Sequence, residues 1–362
     1  MPDLILAVDQ GTTGTTCLVV QPDGTVLGRG YREHPQRFPA PGLVEHDPEA
    51  IWRTVLVATS EALAAANATP LDLAGIGITN QRETVVCWSS ETGRAVGPTI
   101  VWQDRRTAER CAELRAAGAV PVVADLDQPA TLKRLAGLAT WVVHLAPPQP
   151  QGALDRRTRS LCAILPEGAR LVYVSTSGVY GDCAGELIDE TRTVAPHNAR
   201  AERRVDAERV LRAWAGRSGA RLAILRAPGI YAAERLPLRR LEQGTPALLG
   251  ADDVYTNHIH ADDLARIVAL ALFRSLPGRI YHAVDDSHMK MGDYFDTVAD
   301  AFGLARPPRV AREQLITQVS PMLLSFMSES RRMRNERIKH ELGVRLAYPQ
   351  VAQALAAMAL VK

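Results

Sequence analysis

The chain has 362 residues, of which 46% are hydrophobic and 23% are charged, as in an ordinary globular protein with a sizeable core. Its 42 basic and 40 acidic residues leave a net charge of +2, which excludes a broad basic surface for nucleic acid. No apolar run approaches the roughly 18 residues that a membrane span needs. The N-terminus lacks the basic and apolar regions of a signal peptide. The length suits two domains, and we expect a cytoplasmic protein without nucleic-acid or membrane partners.

The five cysteines are scattered, odd in number and never spaced as Cys-x-x-Cys. This pattern argues against a disulfide framework and against a structural zinc site. It fits a reducing compartment.

The first predicted element is a strand, a polar turn and a second strand. Residues 4–8 are apolar, residues 9–16 contain the glycines and threonines, and residues 18–20 resume the apolar pattern before an Asp23-Gly24 hairpin turn. Glycine lets backbone N–H groups approach an anion, threonine adds hydroxyl donors, and aspartate can hold a hydrated Mg²⁺. The pattern therefore fits a phosphate-binding turn and an ordinary polar hairpin equally well.

A helix and two more strands are predicted next. Residues 49–66 have helical periodicity after the start signal Asp47-Pro48. Residues 73–78 predict a buried strand, and residues 85–88 predict another. In the polar run between them, Arg82 beside Glu83 offers donors and an acceptor to the hydroxyls of a small polyol. A solvated loop is the alternative interpretation.

Four motifs of this segment occur together in one kinase family. They are Asp-Gln-Gly-Thr-Thr at 9–13, Pro-Gly-Leu-Val-Glu-His-Asp-Pro at 41–48, Ile-Thr-Asn-Gln-Arg-Glu-Thr at 78–84 and Ile-Val-Trp-Gln-Asp-Arg-Arg at 100–106. From residue 4 to about residue 114 the chain resembles the start of glycerol kinase, a member of the FGGY carbohydrate kinases. The resemblance implies an actin/RNase-H-like α/β domain that binds MgATP and glycerol.

The resemblance also implies a nucleotide site. Thr12, Thr13 and Gly14 match the turn that holds the nucleotide phosphates, and Asp9 matches the acid that holds Mg²⁺ through water. The sequence departs from the family at Thr16, because the family carries a phosphate-binding arginine shortly after the turn.

For glycerol, the resemblance implies that Arg82 and Glu83 contact the hydroxyls and that Trp102 packs on the carbons. Phosphoryl transfer, however, needs the acceptor oxygen, the metal and the γ-phosphate positioned together. The family's aspartate base and second nucleotide-binding domain lie downstream of the shared stretch, and nothing after Val120 resembles them. We therefore expect kinase residues without a working kinase.

The second segment alternates strands with helices. Predicted strands are residues 120–124, 141–145, 170–174 and 221–225, and predicted helices are residues 131–138, 152–165, 196–216, 328–339 and 348–361. The helix at 328–339 is polar and basic and is expected to be a solvated face. The alternation indicates βαβ units and a parallel sheet, whose ligands bind at the carboxyl ends of the strands.

Six motifs at these strand ends occur in the order found in one enzyme family. They are Ala-Asp-Leu-Asp at 124–127, Val-Val-His-Leu-Ala at 142–146, Val-Ser-Thr-Ser-Gly-Val-Tyr-Gly at 174–181, Leu-Arg-Ala-Pro-Gly-Ile-Tyr at 225–231, Asn-His-Ile-His-Ala-Asp-Asp at 257–263 and Tyr-His-Ala-Val-Asp at 281–285. From about residue 113 to residue 361 the chain resembles the extended short-chain dehydrogenases/reductases, the NAD-dependent epimerase/dehydratase group. The resemblance implies NAD(P) binding, with Asp125 and Leu126 at the adenine, His144 beside the cofactor and Thr176 at the catalytic Ser/Thr position.

Two family requirements are missing from this segment. The catalytic pair of the family is Tyr-x-x-x-Lys. Aligning residues 206–208 with the family's segment after this pair places Arg200 at the tyrosine position and Arg204 at the lysine position. An arginine cannot shuttle a proton. Tyr180 is a possible substitute acid, although packing at the strand end is the simpler reading. The Gly-x-Gly-x-x-Gly loop that holds the pyrophosphate is also absent before Val120. His258 and His260 alternate as metal ligands do, but the sequence lacks a convergent third ligand.

The sequence therefore predicts an α/β protein of two parts. An incomplete actin/RNase-H-like kinase subdomain, residues 1–118, is joined within residues 110–120 to a Rossmann-like parallel sheet lacking its first βαβ unit, residues 119–362. The expected function is a glycerol kinase fragment fused to an NAD(P)-dependent epimerase/dehydratase-like domain, with catalysis and affinity for MgATP and NAD(P) impaired in both. The alternatives are a residual glycerol kinase or ATP/glycerol-binding module, and a non-catalytic fusion or gene-level artefact. Substrate, oligomeric state and the choice between NAD and NADP stay open.

Overall fold

The computed structural model of the chain describes residues 3–81, 84–89, 92–101, 103–105, 108–319, 324 and 327–359. The chain divides into two compact units, Met1–Pro121 and Val122–Lys362, called unit 1 and unit 2 below. In the described ranges, no helix is both long enough and apolar enough to cross a membrane.

Unit 1 is built on a four-stranded sheet with one long helix. Its strands are β1 Leu4–Gln10, β2 Gly14–Val20, β3 Val26–Glu33, β4 Gln36–Arg37, β5 Glu45–His46, β6 Leu73–Asn80 and β7 Thr99–Ile100; its helices are α1 Pro48–Ala65, the 3-10 turn Pro70–Asp72 and α2 Ala108–Ala116. The main sheet has the order β3-β2-β1-β6, with β1 antiparallel to β2 and parallel to β6. The predicted strand–turn–strand at the N-terminus and the helix after Asp47-Pro48 are confirmed.

Helix α1 packs closely on the sheet because two strand positions lack a side chain. A Cβ atom on Gly28 would lie 2.1 Å from the Ala62 carbonyl oxygen, and one on Gly30 would lie 2.0 Å from that of Ala58. Ala58 and Ala62, one helical turn apart, are fully buried there. The Asp47 carboxylate caps the helix by accepting from the Glu49 N–H at 3.0 Å. Small residues on both elements therefore set the distance between helix and sheet.

The strand predicted at 73–78 is present as β6, but its predicted burial is wrong. Ile76 is 62% exposed and Ile78 is 75% exposed. β6 is the last strand of the sheet, and α1 lies on β2 and β3 at the other side. Ile76 and Ile78 lie on the same face of the sheet as their partners Leu6 and Val8. Helix α1 packs on this face at β2 and β3 and does not reach β6. The strand predicted at 85–88 is reduced to single bridges at Val85 and Trp88.

Unit 2 is an α/β unit with one parallel sheet and several short strand pairs. Its strands are β8 Trp141–His144, β9 Arg170–Thr176, β10 Leu187–Ile188, β11 Arg221–Ala227, β12 Gly229–Tyr231, β13 Ala247–Leu248, β14 Tyr255–Thr256, β15 His258–His260, β16 Arg279–His282, β17 Met289–Lys290, β18 Arg309–Val310 and β19 Arg332–Met333. Its α-helices are α3 Arg156–Cys162, α4 Ala199–Ser218, α5 Leu238–Glu242, α6 Ala261–Arg274, α7 Met291–Phe302, α8 Arg312–Ile316, α9 Glu336–Glu341 and α10 Val351–Ala359. Its 3-10 helices are Pro129–Leu135, Ser177–Tyr180 and Ala233–Arg235.

The parallel sheet has the order β8-β9-β11-β16, and helices cover both of its faces. Along β11, Leu222 and Ile224 pack in the cluster that contains Leu211 and Trp214 of α4. Ala223 and Leu225 point the other way, into the cluster that contains Ile267 and Ala271 of α6. A strand buried on both faces needs a continuous apolar run, which is what the sequence Arg-Leu-Ala-Ile-Leu provides. The predicted parallel sheet is confirmed here.

Three predictions for this unit are wrong in detail. Residues 120–124 form no strand, since no neighbouring strand pairs with them in the described structure, and Val120 and Val123 are 83% and 88% exposed. Residues 328–339 are not one helix, because the N–H groups of Arg332 and Met333 donate to the Glu186 carbonyl and the Asn257 side chain and so hold the chain extended. The helix predicted at 131–138 is the 3-10 turn Pro129–Leu135.

Candidate functional site

The carboxyl end of β9 and the start of α4 bring Thr176 and Arg200 to the wall of one cavity of about 570 Å³. Thr176 ends the strand, and its hydroxyl accepts from the Gly178 N–H at 3.2 Å. Asn198 begins the helix, with its side-chain oxygen accepting from the Ala201 N–H at 2.9 Å. The two sequence-predicted positions therefore face a shared space, at the edge of the sheet where ligands of parallel sheets bind.

The cavity carries an excess of positive charge. Among the described residues that line it, four are arginines and one is a glutamate: Arg200, Arg235, Arg240, Arg331 and Glu329. Glu329 pairs with Arg331 at 2.8 Å. Burial lowers the pKa of Arg240 to about 10, and its guanidinium lies over the Phe295 ring at 4.1 Å. The arrangement suits an anionic ligand, because charge-assisted hydrogen bonds to guanidinium groups are strong and directional.

Arg204, at the family's lysine position, has a different role from Arg200. Its guanidinium donates to the Tyr173 hydroxyl at 2.9 Å and to the Val174 carbonyl at 3.0 Å. It is not among the cavity residues that the structure describes. Arg204 therefore ties α4 to β9, with both of these bonds directed at the strand.

Tyr180, the possible substitute acid, lies in a closed polar network. It is 1% exposed, accepts from Arg226 at 2.7 Å and contacts His282 Nε2 at 2.5 Å. His282 Nδ1 lies 3.0 Å from the Arg334 carbonyl, which can only accept, so Nε2 accepts the tyrosine proton. Burial raises the pKa of Tyr180 to about 12. The hydroxyl is fixed inside the protein and is not available to a ligand in the cavity.

Behind this tyrosine, Glu208 and Arg226 form a fully buried ion pair. Arg226 donates to both carboxylate oxygens, at 3.1 Å and 2.7 Å, and the Ser175 hydroxyl donates to one of them at 2.7 Å. A buried charge pair needs such additional hydrogen bonds to offset its desolvation. The network joins β9, α4 and β11 beneath the cavity.

The predicted dinucleotide residues lie elsewhere in unit 2. Asp125 and Leu126 are in a loop closed by Thr131, whose hydroxyl accepts from the Asp125 N–H at 2.8 Å. Leu126 lines a second cavity of about 660 Å³, together with Asp127 and Arg156. His144 is buried against Tyr173, its Nε2 is 3.0 Å from the Thr158 hydroxyl, and burial lowers its pKa to about 4. Leu126 thus lines an open cavity, while His144 is engaged inside the protein.

The residues present do not fit a whole dinucleotide. In the doubly wound fold a glycine-rich turn between a strand and a helix presents its N–H groups to the pyrophosphate. In the described part of unit 2, β8 is the edge strand, and no strand, glycine turn and helix precede it. The pyrophosphate therefore lacks its usual donors.

In unit 1, the glycine–threonine turn connects β1 to β2. The Gly11 N–H donates to the Gly14 carbonyl at 2.9 Å, and Gln36 Nε2 donates to the Thr12 carbonyl at 3.2 Å. A Cβ on Gly14 would lie 2.5 Å from the Arg32 carbonyl oxygen, so β3 requires glycine there. Asp9 and Thr13 are exposed beside the turn.

The predicted glycerol residues Arg82, Glu83 and Trp102 lie outside the described residues. No group of three or more His, Cys, Asp or Glu side chains suited to a metal ion occurs in the described ranges. Sequence reasoning missed the cavity residues Arg331, Tyr294 and Phe295. The sequence predicts a solvated helix around Arg331, and the pair Tyr294-Phe295 more often indicates a core position than a cavity wall.

These features define unit 2 as a Rossmann-like α/β unit with a cavity at the carboxyl edge of its sheet. The profile of the NAD dependent epimerase/dehydratase family matches residues 94–283, slightly over half of the chain. The chain belongs to the NAD dependent epimerase/dehydratase family. The profile of the FGGY family of carbohydrate kinases, N-terminal domain, matches residues 4–129, so the two matches overlap over residues 94–129.

Relatives of known sequence match the N-terminal third. Glycerol kinases from Bradyrhizobium diazoefficiens and Agrobacterium fabrum are 50% identical over 121 residues and 52% identical over 122 residues. These stretches are 33% and 34% of this chain but only 24% of each kinase. The chain thus spans about a quarter of the kinases it matches.

Solved structures match the remainder. A functionally unknown conserved protein from Silicibacter pomeroyi has 31% identity and a TM-score of 0.58, over 71% of this chain and 88% of that one. The dTDP-glucose 4,6-dehydratase DesIV from Streptomyces venezuelae, solved with NAD and DAU bound, has 23% identity and a TM-score of 0.55, over 69% and 82%. RMD from Pseudomonas aeruginosa, complexed with NADPH, has 19% identity and a TM-score of 0.54, over 69% and 92%. The last two show likeness of fold alone.

Proposed function

We propose that the chain joins a glycerol-kinase-like fragment, residues 1–118, to an epimerase/dehydratase-like part, residues 119–362, and that neither part completes the reaction of its family. We propose further that the second part binds an anionic small molecule. The observation that carries this proposal is the shared cavity of Thr176 and Arg200, in which a guanidinium occupies the position of the family's proton-transfer group.

The replaced pair removes the acid–base step. The family's tyrosine works because a neighbouring lysine lowers its pKa, so that the hydroxyl can exchange a proton with the substrate. Arginine stays charged across the working range. Arg204 is bonded to Tyr173 and Val174 and so offers no substitute for the lysine. What is left in the cavity is binding chemistry without a proton shuttle.

Cofactor affinity is reduced for a separate reason. NAD(P), when bound in this family, supplies the hydride chemistry. In this chain the loop at Asp125 and Leu126 offers a wall for one end of the dinucleotide, and the pyrophosphate has no glycine turn. For MgATP the situation in unit 1 is reversed, because the phosphate-binding turn at Gly11–Gly14 is formed. The match to the kinases, however, covers only about a quarter of their length.

The turn supports a second candidate function, a residual ATP- or glycerol-binding module. Its backbone geometry is held by the Gly11–Gly14 and Gln36–Thr12 hydrogen bonds without any contribution from a second domain. Such a module would bind nucleotide weakly and would not transfer phosphate. A further alternative is that the junction is a gene-level artefact. Sequencing one uninterrupted genomic amplicon across the codons for residues 94–127 tests this, because a genuine fusion shows the junction in the genome and an artefact does not.

Calorimetry and an activity assay on the full chain test the proposal. We expect no micromolar binding of NAD(H) or NADP(H) and no glycerol-dependent ATP consumption in a coupled assay. Inorganic phosphate is expected to bind, and Arg240→Gln is expected to abolish that binding, whereas Arg209→Gln on the exposed face of α4 leaves it intact. Micromolar dinucleotide binding, or kinase turnover that Arg82→Ala abolishes, would overturn the impaired-fusion proposal. Absence of phosphate binding would overturn the anion site.

A further inference from the structure

Strand β8 leaves one edge of the parallel sheet in unit 2 open. It stands at the end of the order β8-β9-β11-β16 and, among the residues that the structure describes, it pairs with β9 alone. The Arg170 N–H of β9 donates to the Thr140 carbonyl at 2.7 Å. Because a parallel ladder uses alternate residues of each strand, the N–H and C=O groups of Trp141, Val143 and Leu145 point away from β9. Such an outward row of backbone groups is a template for another strand.

The side chains of the same three residues belong to an exposed apolar patch. Val143 lies opposite Val172 of β9, which packs in the cluster of α6, so the patch is on the face of the sheet that carries α6. Phe273 of that helix meets the Trp141 ring edge-on at 4.8 Å between centroids. The β8 patch comprises Trp141, Val143, Leu145 and Phe273, which are 38–61% exposed. These residues expose about 450 Å², and a contiguous apolar patch of this size on a soluble protein often marks an interaction site.

The sequence of β8 carries none of the residues that protect natural edge strands. Trp-Val-Val-His-Leu at 141–145 contains neither a lysine, an arginine nor a proline. Its register with β9 runs from Trp141 to His144 without a bulge. Natural proteins place charges, prolines and bulges on exposed edges to prevent strand pairing. His144 faces the other side of the sheet, where it is buried against Tyr173. The open edge is therefore uncharged and suited to a partner strand.

A second copy of this chain fits the edge because the outward residues of β8 are arranged symmetrically about Val143. A two-fold axis at Val143 runs the two β8 strands antiparallel. It places Val143 of one copy opposite Val143 of the other, and Trp141 of each copy opposite Leu145 of the other. The backbone groups of all these residues point outward, so each opposed pair can exchange two hydrogen bonds. The opposed side chains share one face of the sheet, where aromatic and aliphatic cross-strand pairs are stabilising. The same surface is used by both copies, as in other two-fold dimers.

Charge and area both agree with a pairing between copies. Arg170 places its guanidinium over the Trp141 ring at 4.9 Å. The two-fold axis sends the Arg170 residues of the two copies to opposite ends of the paired strands, about 20 Å apart by the spacing of strands and residues. This exceeds the Debye length of roughly 8 Å at physiological salt, so their repulsion is screened. The pairing buries the β8 patch and the strand edge of both copies, on the order of 1,000 Å² in total, which is the area that a specific interface needs.

We propose that two copies of the chain associate edge to edge through β8, so that their four-stranded parallel sheets form one continuous sheet. The association covers the edge at which no strand precedes β8 in the described part of unit 2. Trp141 and Phe273 belong to the contact, and buried aromatic side chains carry a large share of the energy of protein interfaces. The proposal depends neither on the anion site nor on a cofactor.

Sedimentation equilibrium on the full chain tests the association. In the micromolar range the wild type is expected to have twice the 39.3 kDa mass of one chain. Val143→Lys and Val143→Glu each bring like charges together at the two-fold axis, so each variant alone should be monomeric, with a dissociation constant at least about a hundredfold higher. The two variants mixed in equal amounts should associate again, because opposite charges then meet. Val123→Lys, at an exposed valine outside the β8 patch, is the control and should stay dimeric.

A second variant, Phe273→Lys, leaves the strand unchanged and changes an exposed side chain of α6. It should also be monomeric, and it decides the test if circular dichroism shows that the Val143 variants do not fold. A wild type that is monomeric throughout the micromolar range overturns the proposal. A dimer that persists in Val143→Lys or in Phe273→Lys uses another surface and overturns it as well. If the folded Val143 variants are monomeric and do not associate when mixed, these residues do not meet at a two-fold axis and the proposed pairing is wrong.

Discussion

Strands β6 and β11 both carry an apolar run, over eight and seven residues, but have opposite surroundings. β11, in unit 2, has a neighbouring strand on each side and a helix on each face, and its residues from Leu222 to Leu225 are fully buried. β6, in unit 1, pairs with β1 alone among the residues that the structure describes, and its Ile76 and Ile78 are exposed. An apolar run therefore predicts a strand, whereas its neighbours decide whether that strand is buried.

The polar groups of the two units follow the same contrast. In unit 2 the Glu208–Arg226 pair is enclosed and joined to Ser175 and Tyr180. In unit 1 Asp9 lies at the surface beside an open turn. The Glu208–Arg226 pair thus belongs to the interior of unit 2, whereas Asp9 belongs to the surface of unit 1. Three changes test how far this contrast holds.

The largest effect is expected from Glu208→Ala in unit 2. Removing one partner leaves the Arg226 charge buried and unpaired, which typically costs about 3–5 kcal/mol. Urea unfolding followed by pulse hydrogen exchange on peptides of α4 should therefore show a large drop in the free energy of unfolding. The control is Arg209→Ala, an exposed position on the same helix, which should change stability by no more than about 0.5 kcal/mol. A small effect of Glu208→Ala would mean that water reaches the pair and that the interior of unit 2 is less closed than its contacts indicate.

A smaller effect is expected from Gly30→Ala in unit 1. The new Cβ would lie 2.0 Å from the Ala58 carbonyl oxygen, so α1 must move away from the sheet. Overpacking of this kind costs about 1–3 kcal/mol. Pulse hydrogen exchange in urea, read on peptides of α1 and β3, measures the loss. Gly77→Ala on the uncovered strand β6 has no atom within 4 Å of the new Cβ and should leave stability nearly unchanged. Equal loss in both variants would show that β6 is covered in solution, which would break the contrast.

Much of this fold, and part of the site, can be predicted from sequence. The apolar runs of β1, β9 and β11 and the cap at Asp47 act through nearest neighbours, so their signals are local. Pairing is not local: residues 120–124 have the composition of a strand but no partner in the described structure. Thr176 could be found because a motif carries it, whereas Arg331 reaches the cavity through an extended segment held by distant side chains.

The last expected effect is a slope with pH and not a single loss, and it tests a property that the two units share. His46 in unit 1 and His144 in unit 2 are both buried, and burial lowers the pKa of each to about 4. The unfolded chain has a histidine pKa near 6.5. Between pH 6.5 and pH 4 the unfolded state therefore binds a proton that the folded state does not. The stability is fully present above pH 6.5 and is lost as the pH falls, by at most about 1.4 kcal/mol per pH unit for each histidine.

Replacing either histidine should flatten the acid response of its own unit. With His144→Gln we expect the free energy of unfolding of unit 2 to fall less steeply between pH 6.5 and pH 4, while unit 1 keeps its slope. His46→Gln should give the reverse, and the exposed His288→Gln serves as the control. Urea titrations at several pH values, with pulse hydrogen exchange read separately on peptides of each unit, resolve the two slopes. If His144→Gln reduces the pH slope of both units equally, the two units unfold as one cooperative body. The difference between strands β6 and β11 would then not give the two units different stabilities. If it flattens neither, His144 binds its proton equally in the folded and unfolded chain, and its burial excludes less water than the structure indicates.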